Sequence, residues 1–214
     1  MIVLAIDTAG VDCSAALYDG AAGRLLAEIT ETIGKGHAER LMAVVDEALE
    51  KAGLRLDAVG RIAVVTGPGS FTGIRVGVAA ARGLALALGV EAVGVTTLEV
   101  LARGHLAANP GHPVVVAMDA KRNEIYAQAF GADGLPLTGP AALSADEVAE
   151  LAKSQGAGMT GSWADGTAAG SDRFDIAMVA HLGAEKLAGQ ERPKPLYLRG
   201  PDAKPQSGFA LARA

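Results

Sequence analysis

The 214-residue sequence holds a single cysteine, Cys13. No disulfide framework can form within it, and a reducing, cytoplasmic setting is its natural reading. Aromatic residues are scarce, at 4%, so the core is expected to be built from Ala, Val, Leu and Ile, with glycine allowing close approach. An excess of basic charge is also lacking. Nineteen Lys and Arg against 24 Asp and Glu leave a net charge of −5, which argues against this chain alone gripping nucleic-acid phosphates. A basic partner is left to do so. No run approaches about 18 uninterrupted apolar residues, and residues 2–6 are halted by Asp7, too short for a signal segment. The expectation is a soluble protein. The four histidines, His37, His105, His112 and His181, form no His-x3-His or Glu-linked pair at zinc spacing. Ser70 lies outside a Gly-x-Ser-x-Gly elbow, and Cys13 is a poor nucleophile candidate. No catalytic residue and no metal site are assigned.

Half of the residues are hydrophobic, enough for a sizeable core in one large domain or two small ones. The pattern opens with strands at 2–7, 13–18 and 24–30, joined by turns. A helix follows at 37–52, then a strand at 61–66, a helix at 72–88, a strand at 90–95 and a helix at 97–107. Residues 105–113 carry loop signals, and the scheme restarts. A strand at 114–120 ends in Asp119, as the first strand ends in Asp7, and 123–130 is its hairpin partner. "LPL" (135–137) reads as a third short strand, 144–153 and 175–188 as helices, and 156–162 as a weak strand. The proline-rich tail after 191 reads as extended. The expected architecture is α/β in two lobes of mixed sheet flanked by helices: residues 1–107, with partner-binding helices, and a smaller lobe with its tail, 108–214.

The stretch "TGPGSFTGIRVG" (66–77) sits between a strand and a long apolar helix. As a phosphate loop it would offer backbone N–H groups at a helix start. It holds no lysine and lacks the Walker spacing; Gly67 and Gly69 fit Gly-x-Gly-x-x-Gly, but Thr72 takes the third place. The bland alternative is a tight turn with Ser70 or Thr72 as N-cap. Asp7 and Thr8 could orient a metal-bound nucleotide, or simply cap a turn. Gly73, Gly77 and Ala81, four apart, make a small-residue stripe that would let another helix approach. The helix is apolar nearly all round, with Arg75 and Arg82 on one side, so burial against a partner and burial between the lobes both remain open.

The blocks "MIVLAIDTA", "GHAERLM", "VVTGPGSFTGIRVGVAAARGLA", "GVTTLEVLA", "AMDAKRNEIY" and "PLYLR" stand in this order. Together they resemble the TsaB (YeaZ) family of the bacterial threonylcarbamoyladenosine tRNA-modification system, from residue 1 to about residue 205. The resemblance implies an actin-like, Hsp70-like ATPase fold of ribonuclease H-like type. It implies a non-catalytic scaffold that binds and activates TsaD beside the ATPase TsaE, in threonylcarbamoyl transfer to the adenosine following the anticodon of tRNAs reading ANN codons. TsaD-type chains carry Gly-Val-x-His-x-Glu-x-His; here "GVTTLEVL" puts Thr97 and Leu101 in the histidine places, so neither that metal nor a protease role carries over. By the same resemblance, Asp7, Thr8, Gly67, Gly69 and Ser70 are the remnant of a nucleotide loop, with no cofactor required and ATP binding left open.

The helices beginning near His37 and Thr72 are implied to form half of a four-helix bundle with TsaD, or with a second copy when TsaD is missing; tRNA would be met only indirectly. Leu41, Val45, Gly73, Ile74, Gly77, Val78 and Ala81 are the expected interface, with Arg75 or Arg82 pairing with acids at its rim. On that expectation Gly77→Arg abolishes co-purification with TsaD and leaves the chain folded. The competing reading is an independent nucleotide-binding enzyme, such as a small kinase of the same fold.

Overall fold

The computed structural model describes residues 1–166, 172–189 and 191–199. Three antiparallel strands, β1 (Ile2–Asp7), β2 (Asp12–Asp19) and β3 (Arg24–Thr32), lead into helix α1 (His37–Ala52). β4 (Val59–Val65), helix α2 (Phe71–Leu88) and β5 (Glu91–Val95) complete a sheet of order β3-β2-β1-β4-β5, with β4 parallel to β1 and β5 parallel to β4. Helix α3 (Thr97–Ala108) leads to the second sheet. There β6 (Val114–Asp119), β7 (Ile125–Phe130) and β8 (Ala141–Leu143) are antiparallel, and β9 (Gly158–Thr160), reached through α4 (Ala145–Gln155), runs parallel to β6. The order β8-β7-β6-β9 repeats the first four strands of the first sheet, so the duplication read from the two Asp-terminated strands holds at the level of topology. The strand order and the repeated scheme are those of the actin-like, ribonuclease H-like fold.

Side-chain parity fixes the layers. Val64 and Ala63 are successive residues of β4 and point to opposite faces. Gly77 of α2 lies against Val64, and Gly183 of α5 (Ile176–Glu185) lies against Ala63 and Val3. The first sheet is therefore covered by α1 and α2 on one face and by α5 on the other. The second sheet has α3 on one face, through Leu98, Ala102 and Leu106, and α4 on the other, through Val148. The sheets divide between Val95 and Val114, but the helices cross over: α3 serves the second core and α5 the first.

Buried Arg61 of β4 fastens α5. Its guanidinium donates to the carbonyls of Gly183 (3.1 Å) and Lys186 (2.7 Å) and to Glu91 (3.0 Å), placing a cation at the negative end of that helix. The expected short strand at 135–137 does not form. Leu135 and Leu137 are exposed, with only an isolated bridge at Pro136, and the third strand is β8 instead. Proline cannot donate to a ladder, which disfavours that strand locally. Residues 191–199 adopt neither helix nor strand, and the rest of the expected extended tail lies outside the described residues.

Candidate functional site

The stretch at 66–77 is closed onto the chain's own first hairpin. The Ser70 amide donates to the Ala9 carbonyl (2.6 Å), and the Thr8 hydroxyl donates to the Gly73 carbonyl (2.7 Å). Thr97 donates through its amide to Gly67 O (2.9 Å) and through its hydroxyl to Pro68 O (2.8 Å). The Gly67–Pro68 peptide is cis. A Cβ on Gly69 would strike the Ala9 carbonyl, and one on Gly73 the Thr8 carbonyl; on Gly77 it would sit 2.6 Å from Thr8 Oγ1. The three glycines are needed because the 8–9 turn occupies the space a side chain would take. Ser70 is the N-cap of α2, its hydroxyl accepting from the Gly73 amide at 3.2 Å.

Of the nucleotide-loop candidates, Gly69 and Ser70 also line an inter-lobe cleft of about 310 Å³. Ala9, Gly10, Gly69, Ser70 and Thr97 line one side, and Met118, Asp119, Lys121, Ser162 and Asp172 the other. Asp172 accepts from the Ser162 amide (2.6 Å) and hydroxyl (2.7 Å), and that hydroxyl accepts from the Asp119 amide (2.9 Å). Burial holds the Asp172 carboxyl above the usual range, whereas its bonds to Lys121 hold Asp119 below it. Lys121 is tied to Asp119 at 2.5 Å, so among the described residues the cleft wall offers a phosphate two carboxylates and no uncommitted lysine. Cys13 is buried in β2, and burial pushes its thiol up to about 11, far from a reactive thiolate.

Asp7 is buried at the end of β1 and accepts from the Ala9 amide at 2.8 Å. Burial, aided by the nearby Asp12 charge, pushes its pKa from 3.8 to about 7. Between those values the folded chain binds one proton more than the unfolded chain at this site, so stability falls as pH rises through that window. Asp7→Asn abolishes this term. The stability difference between wild type and Asp7→Asn, from urea unfolding at pH 4.5 and pH 8, is expected to move in favour of the variant by about 2–4 kcal/mol as pH rises. A difference that does not change with pH would remove the buried-acid reading.

The expected partner surface needs correction. Leu41, Val45, Ile74, Val78 and Ala81 are all at most 3% exposed within this single chain, and Gly73 and Gly77 are buried against the 8–9 turn and β4. They belong to the core because α1 and α2 turn these faces to their own sheet. Gly77→Arg would drive a long cation into Thr8 and Val64 and is expected to unfold the chain. Arg75 does not wait at a rim for an acid: its guanidinium lies 3.7 Å over the Phe71 ring and donates to the Tyr197 hydroxyl at 2.7 Å.

The outward face of α2 carries a second small stripe. Thr72, Ala79, Gly83, Leu86 and Ala87 are exposed, Val76 and Ala80 half-buried, and a Cβ on Gly83 would meet nothing within 4 Å. Leu86 is 81% exposed, and Met42 of the adjacent α1 is 43% exposed. The 18-residue helix, although interrupted by Arg75 and Arg82, is long and apolar enough, by length and composition, to cross a membrane; it lies instead as a surface layer on its sheet. The signal that separates the two stripes was in the sequence. Arg75 and Arg82 flank Ala79 and Gly83 and mark the outward half, whereas Gly73 and Gly77 share their side with Ile74 and Val78.

Thr97 and Leu101, which the resemblance sets in the histidine places of TsaD-type chains, serve structure. Thr97 is buried and bonded to Pro68, and Leu101 packs on the second core. Thr96 and Glu99 of the same stretch form the capping box of α3. Among the described residues, no three His, Cys, Asp or Glu side chains gather as a metal-holding group.

A family model, TsaD, tRNA N6-adenosine threonylcarbamoyltransferase, matches residues 25–181. A solved structure of YeaZ from Pseudomonas aeruginosa is 34% identical, with a TM-score of 0.61, over 68% of each chain. The chain belongs to the TsaB/YeaZ family. A second structure, of an uncharacterized protein with similarity to peptidase YEAZ from Pseudomonas aeruginosa, superposes with a TM-score of 0.74 at 28% identity, over 92% of this chain and 99% of that one. The tRNA threonylcarbamoyladenosine biosynthesis protein TsaB of Escherichia coli is 38% identical over 126 residues, 59% of this chain and 53% of the relative. An uncharacterized protein of Mycobacterium tuberculosis is 34% identical over 207 residues, 95% and 94% of the two chains. The chain thus matches about half the length of the TsaB relative from Escherichia coli.

Proposed function

We propose that this chain is a non-catalytic scaffold in tRNA threonylcarbamoyladenosine biosynthesis, binding and activating a TsaD-type transferase through the outward faces of α1 and α2. The observation that carries this reading is the uncovered stripe of Ala79, Gly83 and Ala87 beside exposed Leu86 and Met42. Small residues admit a close helix, and apolar ones reward its burial at about 25 cal/mol per Å². A facing helix pair on the transferase would complete a four-helix bundle, and a second copy would occupy the same face when the transferase is absent. On this proposal the chain acts in the cytoplasm beside TsaE, needs no cofactor of its own and meets tRNA only through its partners. The relatives named for this pathway, and Thr97 and Leu101 in place of ligating histidines, support the division of labour.

The test is to mix the chain with a TsaD-type transferase and follow stoichiometry and threonylcarbamoyl transfer together. An equimolar complex, with transfer dependent on it, is expected. Full transfer without the chain would overturn the proposal. Tight magnesium–ATP binding by the chain alone, measured by calorimetry, would favour the small-kinase reading instead.

A further inference from the structure

The residues of the block "PLYLR" (195–199) hold separate elements together. The Leu196 amide donates to the Thr66 carbonyl at 2.8 Å, at the end of β4. The Tyr197 ring lies 5.3 Å from that of Phe71, and its hydroxyl accepts from Arg75, so the start of α2 carries a stack of two rings and a guanidinium. Leu198 packs on the second core. Arg199 pairs with Glu124 and donates to the carbonyls of Ala120 (3.3 Å) and Lys121 (3.2 Å).

Those last partners belong to an unusual turn. Lys121, Arg122 and Asn123 have φ of 64°, 56° and 61°, three successive non-glycine residues in the left-handed region. L-residues rarely hold that conformation in succession, and it persists only where neighbours over-determine it. Here the neighbours are Asp119, which accepts from the Lys121 amide at 2.9 Å, the Ala120 amide bonded to Glu124 O at 3.0 Å, and Arg199.

We propose that residues 195–199 are a clasp that couples the start of α2 to this left-handed turn on the far wall of the cleft. One residue separates Tyr197 from Arg199, and an extended chain spans only about 3.3–3.6 Å per residue, so neither anchor shifts far without pulling the other. The outer anchor is accessible: Phe71 is 56% exposed and Tyr197 47%. Whatever displaces Tyr197 from the start of α2 loosens the turn that carries Lys121 to the cleft. This goes beyond the docking proposal and needs no partner to test.

Amide hydrogen exchange on the full chain reads the coupling, because exchange reports local opening. Tyr197→Ala is expected to speed the Ala120 and Glu124 amides about tenfold while the β1 and β4 amides keep their rates. Tyr197→Phe retains the ring and is expected to restore most of the protection. Arg199→Ala is expected to speed the Ile74 amide, at the opposite end, several-fold. Wild-type rates at Ala120 and Glu124 in Tyr197→Ala would overturn the clasp. So would uniform acceleration that includes β1 and β4, which is global loosening rather than coupling.

Discussion

Gly73→Ala is expected to destabilise the chain by about 3 kcal/mol, while Gly83→Ala in the same helix stabilises it by up to about 1 kcal/mol. The substitution is identical and only the surroundings differ. At Gly73 the added methyl runs into the Thr8 carbonyl, and that turn cannot easily retreat because the Thr8 hydroxyl is itself bonded to the Gly73 carbonyl and Ala9 is bonded to Ser70. Backbone is less able to yield than a flexible side chain, which puts the cost at the upper end of the overpacking range. At Gly83 the methyl enters open space, and what remains is the helix propensity of alanine over glycine. A chain of this size shifts its melting temperature by about 2–4 °C per kcal/mol. Melts are therefore expected to place Gly73→Ala about 6–12 °C below wild type and Gly83→Ala at or slightly above it. Two equal shifts would mean that the close approach of α2 to the 8–9 turn is not what those glycines are for.

Much of this architecture was legible in the sequence because the signals are local. Alternation and turn residues marked β1, β2 and β3, Gly53 and Gly89 ended α1 and α2, and the two strands ending in Asp7 and Asp119 disclosed the repeated scheme. The stretch at 66–77 holds the tight turn with Ser70 as N-cap, the plainer of its two readings. Its glycines at 69, 73 and 77 also make room for the chain's own hairpin turn, a contact between residues 60 or more positions apart that no local pattern encodes. The two small stripes are a different case: a period of four fits Gly73, Gly77 and Ala81 as well as Ala79, Gly83 and Ala87, and the side that Arg75 and Arg82 share is what marks the second as outward. The roles of Arg61 under α5 and of Arg199 on the 120–124 turn were beyond reach for the same reason, since each joins distant segments.

On the proposed docking, Gly83→Arg is expected to weaken association with a TsaD-type transferase at least about 100-fold, equivalent to about 2.7 kcal/mol. The arginine would stand at the centre of the small stripe, where a facing helix needs close approach. Its charge would have to be buried without a partner or the helices forced apart, either of which costs several kcal/mol. Folding should not suffer, because position 83 is open and arginine is a better helix former than glycine. Gly77→Arg is the informative contrast: it is expected to lose the complex by losing the fold, through collision with Thr8 and Val64. Comparing the two separates a docking defect from a folding defect.

The outward face of α2, and not its buried glycine stripe, is the surface proposed to receive the partner. The most direct test is the dissociation constant of the Gly83→Arg chain for a TsaD-type transferase, measured beside its melting curve. A melting temperature at or above wild type is expected, together with a dissociation constant raised at least about 100-fold. A folded Gly83→Arg chain that binds the transferase with wild-type affinity would contradict it.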